Sequence, residues 1–223
     1  MTTDVIAIDG PAASGKSTVA AGLAERLRIP YINTGSMYRA ITLAAMRRGV
    51  SAANCTEAAL APVLERLQLD YVRNDAGHFV LRMDGHETDA ALRSAEVAAL
   101  VSPVAALPNV RAWLRERQRA LAAAGRLVME GRDIGTEIFP DARFKFFLTA
   151  TPEERARRRL AQSGENFDGA TLESVAAAIA ERDRIDSTRT VAPLRPAADA
   201  VLVDSTGLEV DEVVNLLARK VME

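Results

Sequence analysis

The pattern of apolar positions opens with a short strand. Val5 to Ile8 is an unbroken apolar run rich in β-formers, and Asp9-Gly10-Pro11 ends it with turn chemistry. A helical pattern follows at once, because Val19, Leu23 and Leu27 recur every four residues. Pro30 stops that helix, and Tyr31-Ile32 can begin another strand. Strand, helix, strand predicts a parallel sheet. Ser36 to Arg48, with Gly49 as its stop, and Thr56 to Leu67 read as further helices.

The period then changes. Leu69 to Arg73, His78 to Met83 and His86 to Thr88 read as three short strands, separated by Asn74-Asp75-Ala76-Gly77 and Asp84-Gly85. A meander of this kind is foreign to a βα repeat and predicts an inserted subdomain. Ala95 to Ala124 is alanine-rich helical sequence, expected to break at Pro103 and Pro108 and to close at Gly125. Leu127 to Glu130 and Arg143 to Leu148 restore the buried-strand pattern. Glu153 to Gln162 reads as a helix, Ser163 to Ala170 as a polar loop, and Leu172 to about Ile185 as a further helix. Val201 to Val203 and Glu209 to Val221 supply the last strand and helix. Five buried strands with intervening helices predict an open α/β fold.

Composition narrows the classes. With 223 residues, 48% of them hydrophobic and 26% charged, one globular domain is expected. The 28 basic and 30 acidic side chains leave a formal charge of -2, which gives no global field to draw a nucleic acid. Cys55 alone excludes an intramolecular disulfide and is consistent with a reducing compartment. Met1 to Asp4 lacks the basic stretch and apolar run of a signal peptide, and no segment holds about 18 uninterrupted apolar residues. The expectation is a soluble cytoplasmic protein with no membrane partner.

Candidate chemistry sits at the first turn. Gly10, Pro11, Ala12, Ala13, Ser14, Gly15, Lys16 and Ser17, followed by Thr18, fit G-x-x-x-x-G-K-[ST] between a predicted strand and a predicted helix. Glycines let the backbone curl so that successive N–H groups face an anion, and the helix N-terminus adds partial positive charge. Lys16 can reach the β and γ phosphates, and the Ser17 hydroxyl can ligate Mg2+. Asp9 can orient the metal shell or an arginine, or simply cap the turn. The loop by itself does not choose among a kinase, a nucleotide switch and an ATP-driven machine.

Arginines give the next indication. Tyr38-Arg39 opens a helix and Gly131-Arg132-Asp133 follows a buried strand, so both are expected at the carboxyl edge of the sheet, where ligands bind. Arg182, Asp186 and Arg189 share a face if their helix extends that far. They can be a self-satisfied surface row or anion ligands. Arg155, Arg157, Arg158 and Arg159 crowd one and a half turns. They read either as a solvated face paired by Glu153 and Glu154 or as a basic lid over polyphosphate.

Longer segments resemble the bacterial cytidylate kinase family: Ile6 to Thr18, Thr34 to Arg39, Val128 to Thr136, Phe139 to Asp141 and Asp186 to Leu194. The resemblance covers essentially the whole chain. It implies a three-layer P-loop fold with a five-stranded parallel sheet. The core would comprise residues 1–35 and 106–223. A nucleoside monophosphate-binding insertion at about 36–105 would carry the small antiparallel sheet, and a lid would lie at about 153–172. Carried over residue by residue, Arg39, Arg132 and Arg189 would hold the acceptor phosphate with Tyr38 beside it. Ser102, Arg111 and Asp133 would contact cytosine, Arg182 and Asp186 the sugar region, and Arg155, Arg158 and Arg159 the donor.

The implied reaction moves the γ-phosphoryl group of ATP, with Mg2+, onto CMP or dCMP, in a monomeric enzyme. Another acceptor, such as UMP or a small hydroxyl metabolite, and a non-catalytic nucleotide sensor are the alternatives. A guanine-reading Asn-Lys-x-Asp does not occur. Three positions depart from the family pattern: Asn33 where aspartate is usual, Ala13 where glycine is common, and Ile185 where a charge is frequent. Ala13 fits if its φ is negative.

Overall fold

The computed structural model describes residues 4–75, 77–162, 166 and 169–223. The first half of the chain runs β1 (Val5–Asp9), α1 (Lys16–Leu27), β2 (Tyr31–Asn33), α2 (Thr34–Met46), α3 (Glu57–Arg66), β3 (Leu69–Arg73), β4 (Phe79–Met83), β5 (His86–Glu87) and α4 (Ala95–Ala106). It continues through α5 (Pro108–Ala120), β6 (Leu127–Glu130), β7 (Phe144–Thr149), α6 (Pro152–Leu160), α7 (Leu172–Thr188), β8 (Val201–Asp204) and α8 (Val210–Met222).

Five strands form one sheet in the order β2-β6-β1-β7-β8, and every pairing in it is parallel. Parallel strands need both faces covered, which explains the unbroken apolar run of β1. Ile6 and Ile8 face one way, joined by Val128, Phe146 and Leu148 against α1 and α8. Val5 and Ala7 face the other way, with Leu127, Met129, Ile134 and Ile138. A second core lies beside the small sheet, where Met37, Ile41, Leu60, Val63, Val101, Val104 and Leu114 pack α2 to α5 over the antiparallel β3-β4-β5 strands.

The small sheet reaches the parallel sheet through Tyr71 and Phe79, which pack against its core. The Tyr71 hydroxyl donates to Asn33 O at 2.9 Å and accepts from Asn33 N at 3.2 Å, so a side chain of β3 completes the edge of β2. Asn33 also ends β2 as the cap of α2, its Oδ1 accepting from Ser36 N at 3.0 Å. The amide that replaces the family's aspartate is therefore occupied by the backbone.

Two expectations change. Pro103 does not break its helix, and α4 continues to Ala106 because proline removes one intrahelical N–H while the turn on either side keeps its bonds. The break comes at Leu107-Pro108, where Leu107 is extended. The helix expected to end at about Ile185 runs to Thr188, which brings Asp186 onto it beside Arg182 and makes Arg189 its C-cap. The sequence pattern also gave no sign of the π turn Ile134–Ile138 or the 3-10 turns Ala90–Arg93 and Leu121–Ala124. Most of the expected polar loop, residues 163–165 and 167–168, lies outside the described residues. Among the described residues no single helix is long and apolar enough to cross a membrane.

Phe146 lies on β7, beside the central strand, and is 2% exposed. Replacing it with alanine should cost about 3–5 kcal/mol, read as a lowered urea midpoint at unchanged m-value.

Candidate active site

The phosphate loop links β1 to α1 under tight steric control. Gly10 has φ +150°, and a Cβ there would sit 2.0 Å from Leu148 O of β7. Gly15, at φ +87°, begins α1 without a side-chain cap, and no acidic residue occupies the first turn. The first N–H groups of α1 are thus left available to an anion. Ala13 lies at φ +57°, contrary to the expected negative value. A left-handed alanine costs roughly 1–2 kcal/mol, so the surrounding contacts must hold the loop in this shape.

Lys16 is buried, and its ammonium folds back to donate to Pro11 O and to Ser14 Oγ at 3.1 Å. Burial pulls its pKa well below the usual lysine value. Arg132 pushes the same way, while Glu130 opposes both.

A cavity of about 530 Å³ opens above the loop and is lined by Lys16, Arg39, Arg93, Arg132, Arg159 and Arg182. Arg39 comes from α2, Arg132 from the turn after β6, Arg159 from α6 and Arg182 from α7. Burial lowers Arg39 and Arg159 to about 10, with mutual repulsion among Arg39, Arg93, Arg132 and Arg159 adding to the shift. Arg182 falls to about 9 through burial and then repulsion from Arg132 and Arg39. Cations that depress one another in this way mark a site built for a polyanion.

The adjoining smaller cavity is lined by Thr34, Tyr38, Ser102, Arg111, Asp133, Arg182, Asp186 and Arg189. Arg111 and Asp133 form a buried ion pair, with the Arg111 guanidinium 5.7 Å from the Tyr38 ring centroid. Arg189 lies 3.6 Å from both Asp133 and Asp186, and Arg132 Nε donates to Asp186 Oδ2 at 3.1 Å. Burial pushes the Asp133 carboxyl up, opposed by Arg111 and Arg189.

These placements redistribute the expected residues. Arg39 and Arg132 share the large cavity, whereas Arg189 faces the carboxylates of the small one. Tyr38 stands beside Arg111 rather than among the phosphate-facing cations. Of the three lid arginines, Arg159 alone lines the large cavity. Arg155 donates to Ala12 O and pairs with Asp183, while Arg158 binds Ser205 Oγ, Ser205 O and Glu154, so both brace the loop from behind. Arg157 is an exposed side chain paired with Glu153.

Sequence reasoning missed Arg93, which lies in a 3-10 turn with no surrounding motif, and Asp183, hidden in a charged run beside Arg182. It also assigned no role to Glu130, whose Oε1 accepts from the Tyr31 hydroxyl at 2.8 Å within the large cavity. A carboxylate at the end of the strand next to the phosphate-loop strand was the available signal.

Asp9 caps a turn distant in sequence and not the one that follows it. Its two carboxyl oxygens accept from Ile134 N and Gly135 N, each at 2.8 Å, fixing the turn that follows Arg132 and Asp133. Burial nevertheless raises its pKa to about 7, against the pull of those two bonds. A folded pKa above the unfolded value of 3.8 gives a stability contribution that is complete below pH 3.8 and lost as pH rises through 7. Between about pH 4 and 8 the urea midpoint of the wild type should therefore fall relative to that of Asp9→Asn, which cannot titrate.

Comparison with known proteins places this geometry in a family. The cytidylate kinase family model matches residues 6–223. The cytidylate kinase of Pelotomaculum thermopropionicum is 46% identical over 223 residues, covering 97% of this chain and 95% of its own length. That of Limosilactobacillus fermentum is 44% identical over 217 residues, covering 97% and 94%. A bifunctional pantoate ligase/cytidylate kinase of Prochlorococcus marinus (strain MIT 9313) is 46% identical over 214 residues. The match covers 96% of this chain but only 42% of that longer protein. An uncharacterized protein from Eubacterium ventriosum, known from its crystal structure, shares the fold with a TM-score of 0.52 at 13% identity, over 98% of each chain. With a matching family model over nearly its full length and relatives at these identities, the chain belongs to the cytidylate kinase family.

Proposed function

We propose that this chain transfers the γ-phosphoryl group of ATP to CMP or dCMP, forming ADP and CDP or dCDP. The observation that carries the reading is the junction of two unlike cavities. A cation-lined space above the phosphate loop meets a small pocket whose floor is the Arg111–Asp133 pair, and Arg132 and Arg182 line both.

The chemistry follows from that arrangement. The attacking oxygen of a monophosphate is already ionised, so the protein needs no general base and works by positioning and charge neutralisation. Lys16 and the N-terminus of α1 receive the donor phosphates. Arg39 and Arg132 hold the acceptor phosphate, and Arg159 and Arg182 balance the charge spread over the transferring group. In the small pocket, cytosine's amino group can donate to Asp133 while Arg111 donates to its ring carbonyl. Uracil would set a carbonyl against Asp133, leaving a buried carboxylate without its bond, which works against UMP. Arg189 pairs with both Asp133 and Asp186, and Asp186 faces the sugar region.

The donor set suits magnesium. Ser17 offers a hydroxyl and Glu130 a carboxylate, both hard oxygens on the same cavity, and among the described residues no cluster of three or more His, Cys, Asp or Glu side chains competes for another metal. Bound with ATP, magnesium would supply charge neutralisation to the donor phosphates. Residues 36–105 serve as the acceptor-binding insertion and 153–172 as the lid segment. The enzyme works as a cytoplasmic monomer on small nucleotides, without nucleic acid.

An acceptor panel at fixed ATP and Mg2+ tests this reading through coupled ADP release. CMP and dCMP should lead, with UMP at least about tenfold lower in kcat/KM. Faster turnover of UMP or a hydroxyl metabolite, or no CMP-dependent ADP, would sink it. Arg132→Met should lower kcat by about 10²-fold or more while its unfolding midpoint stays near wild type. Unchanged turnover in that folded variant would remove Arg132 from the transfer step.

A further inference from the structure

We propose that Asp183 is a positioning residue for the donor nucleotide, acting through Ala12 of the phosphate loop, and that it couples donor affinity to occupation of the acceptor pocket. The inference rests on the two-nucleotide reading above and adds a connection that the reaction alone does not require.

Asp183 lies on α7, far from the loop in sequence, yet its Oδ1 accepts from Ala12 N at 3.0 Å. Its Oδ2 pairs with Arg155 Nη1, and the same Nη1 donates to Ala12 O at 3.1 Å. Arg155 is fixed in turn, with Nε donating to Ala150 O at 3.2 Å. The N–H and the carbonyl of Ala12 are therefore both held, one by α7 directly and the other through α6. The Ala12 methyl is buried beside Ala156 of α6 and Val175 and Ile179 of α7, with Ala13 packed at the margin.

This clamp acts one residue before Ala13, which sits at φ +57° without the freedom of glycine. An unheld alanine would relax toward negative φ and carry Ser14 with it. Ser14 Oγ and Pro11 O are the groups that receive the Lys16 ammonium, so the loop's shape decides where that ammonium stands. Asp183 also attracts Lys16 electrostatically across the loop.

The same turn of α7 carries the acceptor groups. Arg182 precedes Asp183, Asp186 follows one turn later, and Arg189 caps the helix. Arg182 and Asp186 line the small cavity while Asp183 grips the loop, so one rigid element has a hand on each nucleotide. An acceptor that engages Arg182 and Asp186 also fixes α7, and with it the clamp on Ala12. By linkage, each nucleotide then changes the other's affinity by the same factor.

Calorimetry of the full chain with Mg2+ and AMP-PNP, with and without saturating CMP, tests the proposal. The wild type should bind AMP-PNP several-fold more tightly when CMP is present. Asp183→Asn keeps an oxygen for Ala12 N–H but loses the charge facing Arg155, and Asp183→Ala loses both. The AMP-PNP Kd should rise by about tenfold or more in the alanine variant and by less in the asparagine variant, as expected for a charge-assisted hydrogen bond. CMP affinity without AMP-PNP should stay within about twofold of wild type, and the coupling factor should fall toward one. Turnover should show the same split, with KM for ATP rising more than kcat falls. Wild-type AMP-PNP affinity and coupling in folded variants would overturn the proposal. So would a parallel loss of AMP-PNP and CMP affinity, the sign of a purely structural pair, or a wild type without coupling. Should the alanine variant fail to fold, the near-isosteric asparagine variant decides the matter. An acceptor panel led by another nucleotide would sink the cytidylate reading and leave the AMP-PNP affinities fully interpretable.

Discussion

Like charge gathered in one place governs this molecule. One ammonium and five guanidinium groups line the space above the phosphate loop, and burial, reinforced by their mutual repulsion, depresses several of their pKa values. Such a cluster can persist only where a rigid frame holds it. The sheet supplies that frame, because β1, β2 and β6 end at the same edge and deliver the loop, α2 and the Arg132 turn to one place. The carboxylates are placed with restraint: Asp186 takes Arg132, Asp183 takes Arg155, and Asp133 takes Arg111 at the far end of the cleft. Positive charge is therefore left in excess where phosphates belong and balanced where a neutral base belongs.

Much of this was legible in the sequence, and the reason is local. Strands β1, β6 and β7 are buried on both faces and so read as apolar runs, while the loop's glycines, lysine and serine are contiguous. The small antiparallel sheet declared itself by a change of period. What could not be read depended on contacts between distant segments. Nothing in residues 152–160 indicates that Arg155 and Arg158 turn toward Ala12 and Ser205 while Arg159 turns toward the cavity. The distinction comes from how α6 lies on α7 and against the phosphate loop. Nor does the sequence show that Arg189, as the cap of a helix running three residues beyond the expected end, stands beside Asp133 and Asp186.

Departures from the family pattern acquire physical content in the same way. Asn33 gives its side-chain oxygen to the start of α2 and its amide to the Tyr31 hydroxyl, so the loss of a carboxylate is absorbed within the protein. Ala13 carries strain in a place where glycine would carry none, and packing around Ala12 holds it there. Ile185 contributes apolar surface between α7 and α4, where a charge would have faced Ala98, Ala99 and Pro103.

The Tyr71 hydroxyl meets both backbone groups of Asn33, and this small contact has a wider meaning for the modularity of the chain. The small sheet meets the outermost strand of the parallel sheet through this phenol, while Tyr71 and Phe79 pack against the core beneath it. A chimera that exchanged residues 69–88 for a segment of equal length would transfer the meander intact. Unless a hydroxyl stood at position 71, it would also strip β2 of its outer partner. The exchangeable unit is therefore the meander together with its tyrosine, and the boundary between insertion and core runs through a side chain.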